Sequence, residues 1–276
     1  MGYNRTPRRS INALLEVSEK DTEKLKGYFR AIKAFSVPIS EKEEESGMDA
    51  DEIRKNLFER FEEHFGDCSQ AEIREWDAEI MDMQKSLKKG YSDVLKGLRD
   101  ASYFRDRYLL KENWAISEAK HTSLPRKIKG EDPDKIFGKI KAMVEAAESG
   151  KMGPDEVLTE GRILEKLGPS ILTELLHKYF ISGYPIKNKR SSWGLMLSMD
   201  MTGVPEDVLS HMPYSQFISY CDEVYAHFKK WCTGKKLKLN DRFKYYYLDR
   251  YYQCEYETPR CQELLKFYYN DREYYY

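Results

Sequence analysis

The chain has 276 residues, of which 41% are hydrophobic and 34% charged, and its formal net charge is −1 at pH 7. This length allows one large domain or two smaller ones, and this composition excludes a membrane-embedded protein and a wholly disordered chain. No apolar stretch approaches the ~18 residues that a membrane span needs, and the N-terminus lacks the apolar core of a secretory signal. Its five sparse cysteines are expected to stay reduced. We therefore expect a cytoplasmic protein.

The charges are unevenly distributed along the chain. Residues 41–82 carry 16 acidic and 5 basic residues, so the rest of the chain is net positive. The positive residues cluster in four places: 5–9, 126–141, 187–190 and 229–242. Such a separation can hold an anionic partner against one part of the molecule and keep it away from another. The alternative is that these clusters are ordinary solvated helix faces.

Helical spacing of apolar residues begins in the N-terminal part of the chain. Ser18 is the candidate N-cap of a first helix, which ends before Pro38. A second helix is predicted over 51–65. Its apolar face consists of Ile53, Leu57, Phe58 and Phe61.

Ser69 starts the longest predicted helix, in which apolar residues keep a spacing of three or four from Ile73 to Tyr103. Gly90 or Gly97 could break it, because a glycine inside a helix costs about 1 kcal/mol. A helical hairpin or a coiled-coil partner would bury this apolar stripe. The long helix is therefore the candidate contact for a homo-oligomer or for another protein.

A domain boundary is predicted where helical spacing is lost, at 113–132. It separates an N-terminal helical region, 1–115, from a C-terminal helical domain, 126–276. In the second region, Pro133 suits the first turn of a helix. Further helices are predicted up to a tyrosine-rich tail, and one of them has Ser170 as its N-cap. No alternating strand pattern occurs, so the sequence predicts an all-α protein.

One segment, residues 160–197, carries a recognisable pattern. It contains a short helix, a Gly-Pro turn, a leucine-rich helix, a Tyr-Pro-Ile loop and a basic group. The residues that carry the pattern are Leu167, Gly168, Pro169, Ser170, Leu172, Leu175, Leu176, His177, Tyr184, Pro185, Ile186, Asn188, Lys189, Arg190, Trp193 and Leu195. This segment resembles the helix-hairpin-helix region of the DNA-glycosylase-like superfamily. It looks closer to the non-glycosylase helical modules attached to restriction-type ATPases and nucleases.

The resemblance implies binding of double-stranded DNA, and departures from the family pattern argue against catalysis. Lys166 stands where the first hairpin glycine is usual, and Pro169 removes one N–H donor. Where glycosylases place a catalytic aspartate, this chain has Lys187 and Asn188, and the lysine position of bifunctional enzymes holds Ser170. The sequence therefore favours a non-enzymatic DNA-associated protein, linked to restriction or genome defence, with no cofactor and no metal.

The candidate DNA contacts come from this segment and from one further basic cluster. Gly168 lets the backbone approach closely, and the free N–H groups of the following helix favour a phosphate. Lysine and arginine side chains would neutralise further phosphates. The predicted contact residues are Gly168, Ser170, Lys187, Asn188, Lys189, Arg190, Lys235 and Lys236. The alternative is a core helix–turn–helix whose Gly-Pro turn only reverses the chain.

Two other patterns lead to different functions. Glu118 and Lys120 form an E-x-K triplet with Asp100 and Asp106 upstream, which resembles the Mg²⁺ site of PD-(D/E)xK nucleases, although that site needs a buried sheet. The tyrosine-rich tail, 243–276, could stack bases or pack in a core or a subunit interface. A structural or interaction protein that uses the long helix and this tail is therefore the main alternative to DNA binding.

Overall fold

The computed structural model describes residues 50–162, 168–199 and 212–273. Within these ranges the chain forms twelve α-helices, one π-helical segment and two 3₁₀ turns, and no strand. The predicted all-α class is confirmed. The helix predicted from Ser18 lies outside the described residues.

The helices follow one another with short connections. They are α1 (Ala50–Phe65), α2 (Gln70–Leu95), α3 (Ala101–Phe104), α4 (Trp114–Glu118), α5 (Leu124–Gly130), α6 (Pro133–Ser149), α7 (Pro154–Glu160), α8 (Pro169–Phe180), α9 (Lys189–Ser198), α10 (Tyr214–Gly234), α11 (Lys244–Glu257) and α12 (Pro259–Glu273). The π-helix, Arg105–Lys111, continues directly from α3.

Local signals set the ends of several helices as predicted. The Ser69 hydroxyl accepts a hydrogen bond from Glu72 N (3.2 Å), and Ser69 N donates to Glu72 Oε2 (2.7 Å), so a capping box starts α2. Gly90 lies inside α2, and the chain turns at Gly97, whose φ of +68° is readily adopted by glycine. Ser170 is not the cap that the sequence indicated, because α8 begins at Pro169 with Gly168 as its N-cap.

The apolar side chains form two buried clusters, and α2 takes part in both. Ile73 and Ile80 of α2 belong to the first cluster, with residues of α1, α9, α10, α11 and α12. Leu87 and Tyr91 belong to the second, with residues of α3 to α8. The apolar stripe of the long helix is thus buried against the chain's own helices. Each cluster draws residues from both sides of the boundary predicted at 113–132, and the division into two domains stays a prediction.

The tyrosine-rich tail is helical where the structure describes it. Five tyrosines of α11 are buried in the first cluster: Tyr245, Tyr246, Tyr247, Tyr251 and Tyr252. Their hydroxyls find partners inside the protein, as when Tyr251 donates to Glu255 Oε1 (3.0 Å). These five rings pack the core and are not available to stack bases.

Candidate nucleic-acid interface

The turn before α8 is open on its outer side. Gly168 and Pro169 are exposed, and a Cβ added to Gly168 would meet no atom within 4 Å. Packing within the chain therefore does not require a glycine at this position. Ser170 is partly exposed, and its carbonyl accepts a hydrogen bond from the Thr173 hydroxyl (3.3 Å).

Lys187 is directed into the protein rather than toward solvent. The side chain is 4% exposed, and Nζ donates a hydrogen bond to the carbonyl of Met212. Burial lowers the pKa of this ammonium to about 8, an effect that the nearby Asp155 opposes. The backbone N–H of Lys187 is also used, because it donates to Thr173 Oγ1 (2.9 Å). Lys187 therefore anchors the loop between α8 and α9.

Asn188 starts α9. Its side-chain oxygen accepts from Ser191 N (2.9 Å), and its own N–H donates to Ser191 Oγ (2.9 Å). This reciprocal pair satisfies two backbone donors at a helix start. Asn188 is 8% exposed, so the structure gives it a capping role.

Lys189 and Arg190 lie in different environments. Lys189 is exposed at the start of α9. Arg190 lines a cavity of about 310 Å³ together with Trp114, Asp249 and Arg250. The basic group predicted at 187–190 is thus divided between the interior, the surface and a cavity wall.

The second predicted cluster lies at the end of α10, beside acidic α1. Lys235 forms an ion pair with Glu62 Oε1, and its ammonium also lies 5.7 Å from the ring centroid of Trp231. Lys236 is exposed and has a φ of +61°. A carboxylate therefore already accompanies Lys235, whereas Lys236 faces solvent.

Asp249 lies in the wall of the cavity that Arg190 also lines, and its carboxyl is half-buried. Burial raises its pKa to about 6; the charges of Arg190, Arg250 and Lys178 oppose this rise and that of Glu174 adds to it. Since an unfolded aspartate has a pKa of about 3.9, ionisation costs more in the folded state. Asp249 thus contributes stability that is complete below about pH 4 and is lost as the pH rises through about 6.

The variant Asp249→Asn should remove this dependence on pH. Its stability relative to the original protein is expected to rise between about pH 4 and about pH 7 and then to level off. Urea unfolding of both proteins across this range measures the difference. A difference that stays constant or falls as the pH rises would contradict this account.

A buried polar network on α8 was not found from the sequence. Glu174 is fully buried, and its carboxylate accepts hydrogen bonds from Trp114 N (2.7 Å), Ala115 N (3.0 Å) and Lys178 Nζ (2.6 Å). Lys178 Nζ also donates to the carbonyl of Glu112 (2.8 Å). This ion pair therefore holds residues 112–115 at the start of α4.

His177, three residues after Glu174, faces a different partner. Its Nδ1 lies 2.9 Å from the carbonyl of Tyr184, and its Nε2 is buried without a hydrogen-bond partner among the residues that the structure describes. Burial lowers the pKa of His177 to about 4, so the ring is neutral near pH 7. Among the described residues, no group of three or more His, Cys, Asp or Glu side chains is placed to hold a metal ion.

The segment of the predicted nuclease triplet is helical. Glu118 ends α4, and Lys120 lies in the 3₁₀ turn that follows. Upstream, Asp100 caps α3, and Asp106 accepts from Arg105 Nε (2.8 Å). The buried strand on which PD-(D/E)xK carboxylates lie does not occur at these residues.

A further set of exposed positive side chains lies on residues 85–130. This segment, which we call the basic end, contains twelve Lys or Arg and five Asp or Glu. Nine of its cations are exposed and form no ion pair with a described carboxylate: Lys85, Lys88, Lys96, Arg99, Lys111, Lys120, Arg126, Lys127 and Lys129. Arg105 Nη1 ties the segment together by donating to the carbonyls of Lys129 (3.2 Å) and Glu131 (3.3 Å).

The opposite end of α2 is acidic. Residues 50–82 contain eleven Asp or Glu and four Lys or Arg. Since α2 has 26 residues, its two ends are about 39 Å apart. The two segments that share α2 therefore carry net charges of opposite sign, and lysines at the end of α10 lie beside the acidic one. A charge count over 85–130 alone would have identified the basic end from the sequence, but only the structure shows that these cations are exposed.

No helix within the described ranges combines the length and the apolar character required to cross a membrane. Comparisons with protein families, with curated proteins and with solved structures find no match to this chain.

Proposed function

We propose that the protein binds double-stranded DNA through its basic end, without chemical action on the DNA. The observation that carries this proposal is the group of nine exposed cations that form no ion pair with a described carboxylate. DNA phosphates attract such groups strongly, because each contact releases condensed counterions.

Three of the residues predicted to contact DNA are exposed: Gly168, Lys189 and Lys236. Lys236 is not part of the basic end, because its neighbour Lys238 donates its backbone N–H to Gln70, at the opposite end of α2. The Asn113 side chain supports a role for the turn at Gly168, because its Nδ2 donates to the carbonyl of Ile171 (3.3 Å). This bond places the start of α8 beside the start of α4, which leads into the basic helix α5. The link to restriction or genome defence depends only on the resemblance of residues 160–197.

The test is reversal of three charges on α5, in the variant Arg126→Glu, Lys127→Glu, Lys129→Glu. Affinity for a short labelled duplex is expected to fall about tenfold or more at low salt, because up to three phosphate contacts are lost. The slope of log affinity against log salt should become shallower by about 0.9 for each lost contact. Fluorescence anisotropy over a salt series measures both quantities.

A matched variant controls for the change in net charge. Lys55, Lys151 and Lys266 are exposed lysines outside the basic end, and replacing all three with glutamate changes the net charge by the same amount. This control should weaken binding by much less. Equal losses in the two variants would show a general charge effect and no site at the basic end. Absence of duplex binding by the original protein at low salt would reject the proposed function.

A further inference from the structure

A cavity of about 740 Å³ opens on the basic end, beside the π-helix. Leu98, Arg99, Tyr103, Arg107 and Lys111 are among the residues that line it. Small-molecule sites in proteins have volumes of about 300–1,000 Å³, so the cavity can take more than a phosphate alone. π-helical turns also occur often at functional sites.

Two of the three carboxylates that line this cavity form ion pairs with arginines, and the third, Asp100, is hydrogen-bonded by uncharged donors. The three carboxylates accept hydrogen bonds as follows: Asp100 from Tyr103 N (2.8 Å), Asp106 from Arg105 Nε (2.8 Å) and Glu112 from Arg107 Nε (2.8 Å). Arg99 and Lys111 are exposed and form no ion pair with a described carboxylate. The cavity therefore presents two cations that can receive an anionic group.

The cavity also contains a platform formed by Arg99 and Tyr103. The Arg99 guanidinium lies over the Tyr103 ring, 5.0 Å from its centroid. Arg107 Nη1 donates to the Tyr103 hydroxyl (3.0 Å), which fixes the orientation of the ring. Guanidinium planes can stack on nucleobases. Leu98, which is 68% exposed, adds an apolar contact beside this platform.

We propose that this cavity holds one unpaired nucleotide at the end of a DNA strand. In this arrangement Lys111 contacts the phosphate, and the base stacks on the Arg99 guanidinium. The inference depends on the proposed function, since it assigns a particular part of the DNA to one place on the basic end. It implies that the protein prefers DNA ends with a single-stranded overhang to blunt duplex.

The experiment compares two labelled duplexes of equal double-stranded length, one blunt and one with a short thymidine overhang. The overhang duplex is expected to bind at least about fivefold more tightly, since stacking of one base on the protein is worth a factor of this order. The variants Arg99→Ala and Lys111→Ala should bring the ratio of the two affinities close to one. Lys55→Ala, at the acidic end, should leave the ratio unchanged.

The ratio of affinities separates this inference from the proposed function. Tight and equal binding of both duplexes by the original protein would overturn the inference and leave duplex binding intact. A preference for overhangs that persists in both Arg99→Ala and Lys111→Ala would show that the nucleotide binds elsewhere. If neither duplex binds at low salt, the proposed function fails, and the inference fails with it.

Discussion

Replacing Glu174 with alanine is expected to lower the free energy of unfolding by about 3–5 kcal/mol, the cost of breaking a buried ion pair by removing one partner. Glu174 is 0% exposed and accepts three hydrogen bonds. Its loss leaves the Lys178 ammonium without its carboxylate and leaves the N–H groups of Trp114 and Ala115 without an acceptor. Urea unfolding measures the change.

The exposed pair Lys141–Glu145 on α6 provides the matched control. It also spans four residues of one helix, with a distance of 3.7 Å between Lys141 Nζ and Glu145 Oε1, and the Glu145 side chain is 59% exposed. Glu145→Ala should change the free energy of unfolding by less than about 1 kcal/mol, because water already solvates this pair. Similar effects of the two alanine variants would show that the α8 network does not hold α4 in place.

Gly194→Ala is expected to destabilise the protein by about 1–3 kcal/mol or more, the typical cost of inserting atoms into a packed core. Gly194 lies on α9, where α9 crosses α11. A Cβ at this position would lie 2.6 Å from Cβ and 2.7 Å from Cα of Tyr252. Because one of these atoms belongs to the backbone of α11, the two helices would have to move apart.

Gly138 allows the same substitution in an open environment. It lies within α6, and a Cβ there would meet no atom within 4 Å. Gly138→Ala should therefore stabilise the protein by about 0.5–1 kcal/mol, since alanine favours the helix over the unfolded chain. In thermal unfolding, Gly194→Ala should melt at a lower temperature than the original protein and Gly138→Ala at a higher one. Gly194→Ala with unchanged stability would mean that α9 and α11 are not in the close contact described.

Local signals in the sequence predicted the fold class and several helix ends. The capping box at Ser69 and the proline at position 133 act within one helical turn, so a reader of the sequence can recognise them. Ser170 was wrongly predicted as a cap because Gly168 and Pro169 together make an equally good start for α8. Which of several adjacent residues becomes the N-cap depends on the conformation of the whole turn.

Contacts between distant residues limited the prediction of the site. Lys187 reads as part of a basic cluster, but its Nζ donates to Met212, 25 residues away. Glu174 lies on the leucine-rich helix of the hairpin-like segment, but its carboxylate accepts from Trp114, 60 residues away. Charge and spacing along the chain do not reveal burial, so the sequence could not show which cations remain at the surface.

The position of α2 in both hydrophobic clusters has a consequence for how the protein unfolds. One continuous helix supplies Ile73 and Ile80 to one cluster and Leu87 and Tyr91 to the other. Neither cluster can open fully without exposing part of the same helix, whose hydrogen-bonded turns form and break cooperatively. We therefore expect the two clusters to unfold together, and a destabilising substitution in either cluster to weaken the other through α2.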